Sequence, residues 1–179
     1  NRDTRLVMFC EDKVLRGETN KDVLYNADGS ANVIASSKVV GNTQPYAGDY
    51  GISKNPESLA VAPATAYFTD ASRGRGLALS TEGVRPISSY GMESYFLRLK
   101  AIANGSPLVG TFDDKTREYN LSTPLQNTVS YSEMSKSWVS FKSFLPETGV
   151  SLNNEFYTFA KGNLWKHHHN SVHNSFYGE

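Results

Sequence analysis

The sequence predicts an all-β fold of repeated antiparallel hairpins, propeller-like in organisation, and three observations carry that expectation. Apolar stretches are short, rich in Val, Phe, Tyr and Leu, and separated by clusters of Gly, Asn, Asp, Ser and Pro, which is the punctuation of strands. Turn signals recur about every ten residues, a spacing shared by sandwiches, barrels and propellers. The third observation is an internal repeat. Phe112-Asp113-Asp114-Lys115-Thr116-Arg117-Glu118-Tyr119 and Tyr131-Ser132-Glu133-Met134-Ser135-Lys136-Ser137-Trp138 agree in chemical type at most positions. Each copy reads as strand, tight polar turn, strand. Its flanking aromatics suit packing on a neighbouring layer, and its central acid and hydroxyl suit hydrogen bonds to the turn's own amides.

Taken from the amino terminus, residues 6–9 form a strand, 10–13 a turn and 14–16 the return. Cys10 follows the apolar Leu6-Val7-Met8-Phe9 and is expected as a small buried hydrophobe. Residues 17–63, rich in Asn, Ser, Gly and Ala, read as a long irregular loop region. Such loops in compact domains are usually functional or pinned by a partner, so this stretch, with Tyr46 and Tyr50, is the first candidate for subunit contact. A hairpin joins 66–69 to 77–80 through 70–76, and its tip offers Arg73 and Arg75 as exposed contact residues. A turn at 81–83 leads into 84–87. One short helix is expected over 92–103, where Tyr95, Phe96, Leu99 and Ile102 recur at three- and four-residue steps, with Gly105 as its terminator. Near the end, 156–159 turns over 160–163 and returns through Leu164, Trp165 and Lys166. This echoes the first hairpin, since Phe9 and Phe159 each precede four turn residues, an aliphatic, a large apolar residue and a cation. At roughly 40–50 residues per propeller blade, the chain holds about four blades. The expected organisation is one all-β domain over 1–179, or part of a larger propeller-like domain whose ring closes with further sequence or neighbouring subunits.

Charge narrows the partners. Eighteen cations balance eighteen anions, so no net field draws the protein to nucleic acid or to an acidic membrane, and neither is expected as a partner. No apolar stretch is long enough to cross a bilayer. With a single cysteine, no intrachain disulfide forms. The start at Asn1 without Met and the end at Tyr177-Gly178-Glu179 lead to the expectation that this is part of a longer chain.

The candidate chemistry is sparse. All four histidines, His167, His168, His169 and His173, fall within seven residues. If the strand from Leu164 continued, His167 and His169 would share a face, and with His173 they would make a candidate metal site. The favoured reading is a solvated strand end without metal. Asn26, Asp28 and Gly29 echo a calcium loop, but Leu24 and Ala35 occupy positions where ligands belong. Arg73-Gly74-Arg75-Gly76 lacks the third glycine of a dinucleotide motif. The acid pairs Asp113-Asp114 and Glu11-Asp12 read as turn tips, which give little of the burial a general acid needs. No nucleophile, base and oxyanion site assembles, so no catalytic residue and no cofactor are expected. Aromatics make up 12% of the chain, with ten Tyr and two Trp, and their strand positions point to core more than to sugar platforms.

Gly51-Ile52-Ser53-Lys54-Asn55-Pro56-Glu57-Ser58, Ala66-Tyr67-Phe68-Thr69-Asp70 and the Arg73-Gly74 turn into 77–80 resemble segments of large virion structural proteins of tailed bacteriophages, those of the contractile-tailed, marine and cyanobacterial type. The stretches 112–121, 137–141, 151–159 and 174–178 follow that family's order, and the resemblance covers most of the chain. Ala62-Pro63-Ala64 departs from the family's pattern. The resemblance implies a non-catalytic structural component of the virion, in tail, baseplate or neck. Its partners would be other virion subunits in many copies, with assembly in the cytoplasm of the bacterial host. It supplies no catalytic residues. Two rival readings stand beside it. One is a carbohydrate- or receptor-binding module in which Trp138 and Trp165 stack on host-surface glycans. The other is a propeller-type glycan hydrolase, which needs clustered buried carboxylates.

Overall fold

A computed structural model describes residues 5–25, 31–103, 106–172 and 175–178, with side chains described outside 5 and 20–39. Among these residues the strands are all antiparallel, in four sheets, with one α-helix. The chain divides into two compact units, 1–51 and 52–179.

In the first unit, β1 (Arg5–Phe9) pairs with β2 (Val14–Tyr25), which pairs with β3 (Ala31–Pro45). Phe9 faces Val14 across the expected turn at 10–13, closed by the Cys10 amide donating to the Lys13 carbonyl at 2.9 Å. That placement overturns one expectation: Cys10 is exposed, because the strand ends at Phe9 and the thiol sits on the turn. It overturns a larger one as well, since most of the supposed loop over 17–63 is strand. β2 and β3 form a long hairpin with register shifts between Gly17 and Thr19 and between Thr19 and Lys21. The Asn- and Ser-rich composition masked the β-branched residues threaded through it, Thr19, Val23, Val33, Ile34, Val40 and Thr43, and those residues favour the pleated backbone. The calcium-like Asn26, Asp28 and Gly29 lie outside the described residues. Chain 46–51 folds back on the first turn. There the Tyr46 amide reaches the Val14 carbonyl at 2.9 Å, Lys13 pairs with Asp49, and Gly51 comes so close that a Cβ would lie 2.1 Å from the Glu11 carbonyl oxygen.

The second unit stacks three meanders. The first is β4 (Ala60–Val61), β5 (Ala66–Asp70), β6 (Arg75–Ser80) and β7 (Gly83–Pro86). The helix α1 (Glu93–Ile102) follows, as its periodicity predicts, and buries Tyr95, Phe96 and Leu99. Its expected terminator, Gly105, lies outside the described residues. Next come β8 (Val109–Asp113), β9 (Glu118–Thr123), β10 (Asn127–Ser132) and β11 (Ser137–Lys142), and then β12 (Thr148–Leu152), β13 (Glu155–Ala160) and β14 (Asn163–Lys166). Among the described residues no helix is long and apolar enough to cross a membrane.

The repeat detected in sequence builds β8–β9 and β10–β11, and its turn occurs a third time between β5 and β6. In each copy the last strand residue before the turn caps it. Asp70 Oδ1 accepts from the Arg73 amide at 3.0 Å, Asp113 Oδ1 from the Lys115 and Thr116 amides at 3.0 and 3.4 Å, and Ser132 Oγ from the Ser135 amide at 3.3 Å. The capping residue is therefore the first polar position of the repeat and not its central acid. Each turn closes on a left-handed residue, Gly74, Arg117 or Lys136, at φ of 63°, 56° and 52°. The echo between the first and last hairpins does not extend to geometry. The last one turns over two residues, Lys161 and Gly162, both at positive φ as a type I′ turn requires.

The four flanking aromatics of the repeat converge on one face. Tyr67 of β5 stacks on Tyr119 at 5.1 Å and on Phe112 at 5.9 Å, Tyr131 meets Trp138 at 5.4 Å, and Trp138 meets Phe96 of the helix at 5.3 Å. The first strands of the meanders sit side by side, with β8 between β4 and β12. A Cβ on Gly110 of β8 would lie 2.0 Å from the Ser58 carbonyl oxygen, and one on Gly149 of β12 would lie 2.9 Å from Thr111 Cγ2. Tyr119 closes the β8 contact by donating to the Ser58 carbonyl at 2.8 Å.

Because a methyl at Gly110 has backbone on its far side and nowhere to move, Gly110→Ala should lower the unfolding free energy by roughly 2–3 kcal/mol, the upper part of the overpacking range. Urea unfolding measures it, with exposed Ser72→Ala as a control expected within about 0.5 kcal/mol of the parent.

Candidate functional site

The face of β8–β11 turned away from the aromatic stack is polar and buried. Thr111, Asp113, Asn120, Ser122, Thr128 and Ser130 lie on it, none more than 5% exposed. Hydroxyls satisfy one another across the strands, Ser122 with Thr128 and Ser130 with the Asn120 side-chain oxygen, both at 2.6 Å. Against this face packs the inner side of β13, carrying Phe156, Thr158 and Ala160. At the margin, where the chain leaves β14, a cleft of about 370 Å³ opens, with Asp113, Lys142 and the first three histidines among its lining residues.

The cleft exists because β14 stops at Lys166 and the chain turns, with His168 at φ +58°. A left-handed backbone at a bulky residue is held only where its surroundings determine it. Here the determinant is Asp113, whose Oδ2 lies 2.5 Å from His168 Nε2. Since Asp113 Oδ1 already serves the turn amides, both carboxylate oxygens are engaged. The expectation of an exposed acid pair at a hairpin tip thus fails for Asp113, which is 1% exposed. The residue occupies the base of the turn, and the His168 turn covers it.

His167 turns into an aromatic nest, with its ring 4.9 Å from Phe156, 5.2 Å from Phe144 and 6.0 Å from Tyr177. Its Nε2 meets Thr158 Oγ1 at 2.7 Å, and the same hydroxyl meets Tyr177 OH at 3.1 Å. Burial, reinforced by the neighbouring His168, lowers its pKa to about 4, so the imidazole is neutral at pH 7. The Thr158–His167 spacing matches that of a base-activated hydroxyl. Thr158 is fully buried, however, so its hydroxyl serves as a strut. Beside the nest, Lys142 donates to Glu118 at 2.7 Å and to Asn120 at 3.2 Å, and the Trp165 ring lies 5.3 Å from Tyr177.

Strand alternation therefore does not bring His167 and His169 onto one face. The strand ends before them, His167 bonds Thr158, His169 is exposed, and His173 lies outside the described residues. Among the described residues, no three His, Cys, Asp or Glu side chains are grouped to hold a metal ion. The four candidate contact residues fall in two places. Tyr46, under the Arg16 guanidinium at 5.9 Å, and half-buried Tyr50 belong to the first unit. In the second, Arg73 and Arg75 are half-buried and ion-paired, to Asp70 at 3.0 Å and to Glu93 at 2.8 Å. Their expected exposure fails because the tip leans on the helix, where a Cβ at Gly74 would lie 2.9 Å from the Phe96 carbonyl oxygen. Sequence reasoning missed Thr158, Phe144 and Tyr177, whose roles depend on long-range packing. Only Asp113 carried a local signal, its position at the second place of the repeat.

No protein-family model matches the chain, and no curated protein matches it.

The His167 environment sets a pH dependence. In the unfolded chain a histidine binds its proton near pH 6.5, whereas in the folded protein His167 does so at about 4. Between these values the unfolded state holds more protons, so this group's contribution falls as pH drops from about 6.5 to 4 and is constant below. Urea midpoints across that window should fall on acidification, and His167→Gln should show a shallower decline. Equal slopes in parent and variant would refute the assignment.

Proposed function

We propose that the chain is a non-catalytic structural module of a tailed-bacteriophage virion, in tail, baseplate or neck, and that residues 52–179 form an arc of a β-propeller. The observation that carries the reading is the succession of meanders whose first strands β4, β8 and β12 lie side by side while the sheets stack face to face, the arrangement of consecutive blades around an axis. The resemblance of the chain's motifs to virion structural proteins supports the same reading. So does the state of its polar groups: Asp113, His167, His168 and Lys142 are engaged with one another or with neighbours, as suits a rigid part more than a reaction chamber. Among the described residues lining the cleft the sole carboxylate is Asp113, whereas glycoside hydrolysis ordinarily takes two.

Glycan binding is the second reading, favoured by the half-buried Trp165 ring that lines the cleft beside Tyr177. Trp138 no longer serves it, because that ring packs in the core and its Nε1 donates to the Ile87 carbonyl at 2.9 Å.

Mass spectrometry of purified virions should recover peptides of this chain in amounts comparable to known particle components. On a glycan array the protein should give no signal. A signal that Trp165→Ala abolishes, with unchanged urea unfolding, would instead favour the glycan reading.

A further inference from the structure

We propose that the cleft at the end of β14 binds a small carboxylate carried on a flat apolar body, an aryl carboxylate being the simplest example. A rigid particle component can carry such a site, so the assignment is independent of the structural reading above.

The cavity of about 370 Å³ falls within the size range of small-molecule sites, roughly 300–1,000 Å³. Its apolar walls are largely aromatic. Half-buried Trp165, Phe176 and Tyr177 line it together with buried Phe144 and Phe156. Trp165 lies 5.3 Å from Tyr177, Tyr177 lies 6.3 Å from Phe144, and Phe144 lies 5.1 Å from Phe176. The rings therefore make one connected surface, which a flat apolar ligand can cover.

The polar lining has donors in excess. Two ammonium groups, Lys142 and Lys166, stand against one carboxylate, Asp113, whose two oxygens already serve the turn amides and His168. Lys142 spends two of its three N–H groups on Glu118 and Asn120, which leaves one. Lys166 is held only by an ion pair to Glu155 at 3.5 Å, long for a hydrogen bond, so its donors remain available. Neither Glu118 nor Glu155 lines the cleft. Asn170 Oδ1 accepts from the Val172 amide at 3.1 Å, and its Nδ2 is left to donate. Trp165 Nε1, buried in the wall, has no acceptor among the described residues.

Donors without matching acceptors select a group that only accepts. A carboxylate does so, and it brings the charge that two ammonium groups favour. A neutral sugar, whose hydroxyls donate as well as accept, meets no unengaged carboxylate here, and a cation is repelled. Inorganic phosphate would satisfy the lysines but leave the aromatic surface uncovered. Because each lysine also has its own glutamate, the electrostatic attraction is modest, and contact with the rings must supply much of the affinity.

The test is an NMR titration of the whole chain with sodium benzoate, with benzyl alcohol and inorganic phosphate as comparison probes. We expect saturable shifts confined to the amides of 142–144, 165–170 and 175–178, with a dissociation constant of about 1 mM. Benzyl alcohol lacks the charge and phosphate lacks the ring, so each should bind at least about tenfold more weakly. Lys142→Gln should weaken benzoate binding about tenfold and leave benzyl alcohol unaffected. Should that substitution disturb folding, Lys166→Gln, at a more exposed position, gives the same readout. Shifts that stay linear up to the solubility limit overturn the proposal, as do phosphate or benzyl alcohol binding as tightly as benzoate, or benzoate binding indifferent to both substitutions. None of these outcomes bears on whether the chain is found in virions, so the two readings fail separately.

Discussion

The stacking of Tyr67 on the rings of the following meander is the contact on which the second unit depends. A Tyr buries on the order of 150–250 Å², and here it does so between sheets, so the same ring that supplies apolar area also sets their spacing. Its hydroxyl then reaches Glu133 Oε1 at 3.2 Å, and Glu133 is ion-paired to Arg117. A single residue of β5 is thereby tied to both turns of the repeat, at Arg117 and at Glu133. Desolvation by burial and the neighbouring Glu133 carboxylate both raise the Tyr67 pKa, so the hydroxyl stays protonated and remains a donor.

The two faces of β8–β11 divide the work. The aromatic face supplies apolar burial, while the opposite face is a mesh of hydroxyls and amides that contributes little net free energy per bond yet penalises any slip of register, since a one-residue shift would expose carbon to hydroxyl and leave polar groups unmet. The mesh is not complete: Asn120 Nδ2 and Thr111 Oγ1 are buried without a hydrogen-bond partner among the described residues. Partial satisfaction of this kind costs stability, and it falls at the interface with the three-stranded sheet. The bonds that do close there, Asp113 to His168 and Ser151 to β8, are few and directional, so the sheets are held in one orientation by geometry more than by area.

How much of this was legible depends on the range over which each signal acts. The repeat of 112–119 and 131–138 could be read because its logic is local: aromatic, turn cap, turn, aromatic. The helix and the hairpins at 66–80 and 156–166 were legible by the same short-range rules. The long hairpin over Val14–Tyr25 and Ala31–Pro45 was not, because Gly, Asn and Ser within it mimic loop composition, and the ladder that overrides them joins residues as distant as Leu15 and Pro45. Cys10 was misjudged by one residue of strand length. Asp113 was misjudged because a turn tip and a turn base look alike in sequence, and only the chain returning from β14, 55 residues later, covers it.

The fate of that carboxylate bears on the larger question of what the molecule is for. A catalytic acid or base needs at least one lone pair or proton free to meet a substrate. Asp113 uses one oxygen on its own turn and the other on His168, His167 is neutral and bonded to Thr158, and Lys142 is bonded to Glu118 and Asn120. The Asp113–His168 bond joins the second meander to the third, while the His167 and Lys142 bonds tie strands within their own meanders. Left-handed backbone at His168 and Tyr177 is held by the same contacts, His168 to Asp113 and Tyr177 to Thr158. Strain kept for catalysis points a group at open space. Here it points His168 at Asp113 and Tyr177 at Thr158, and those bonds hold the chain after β14 in one orientation.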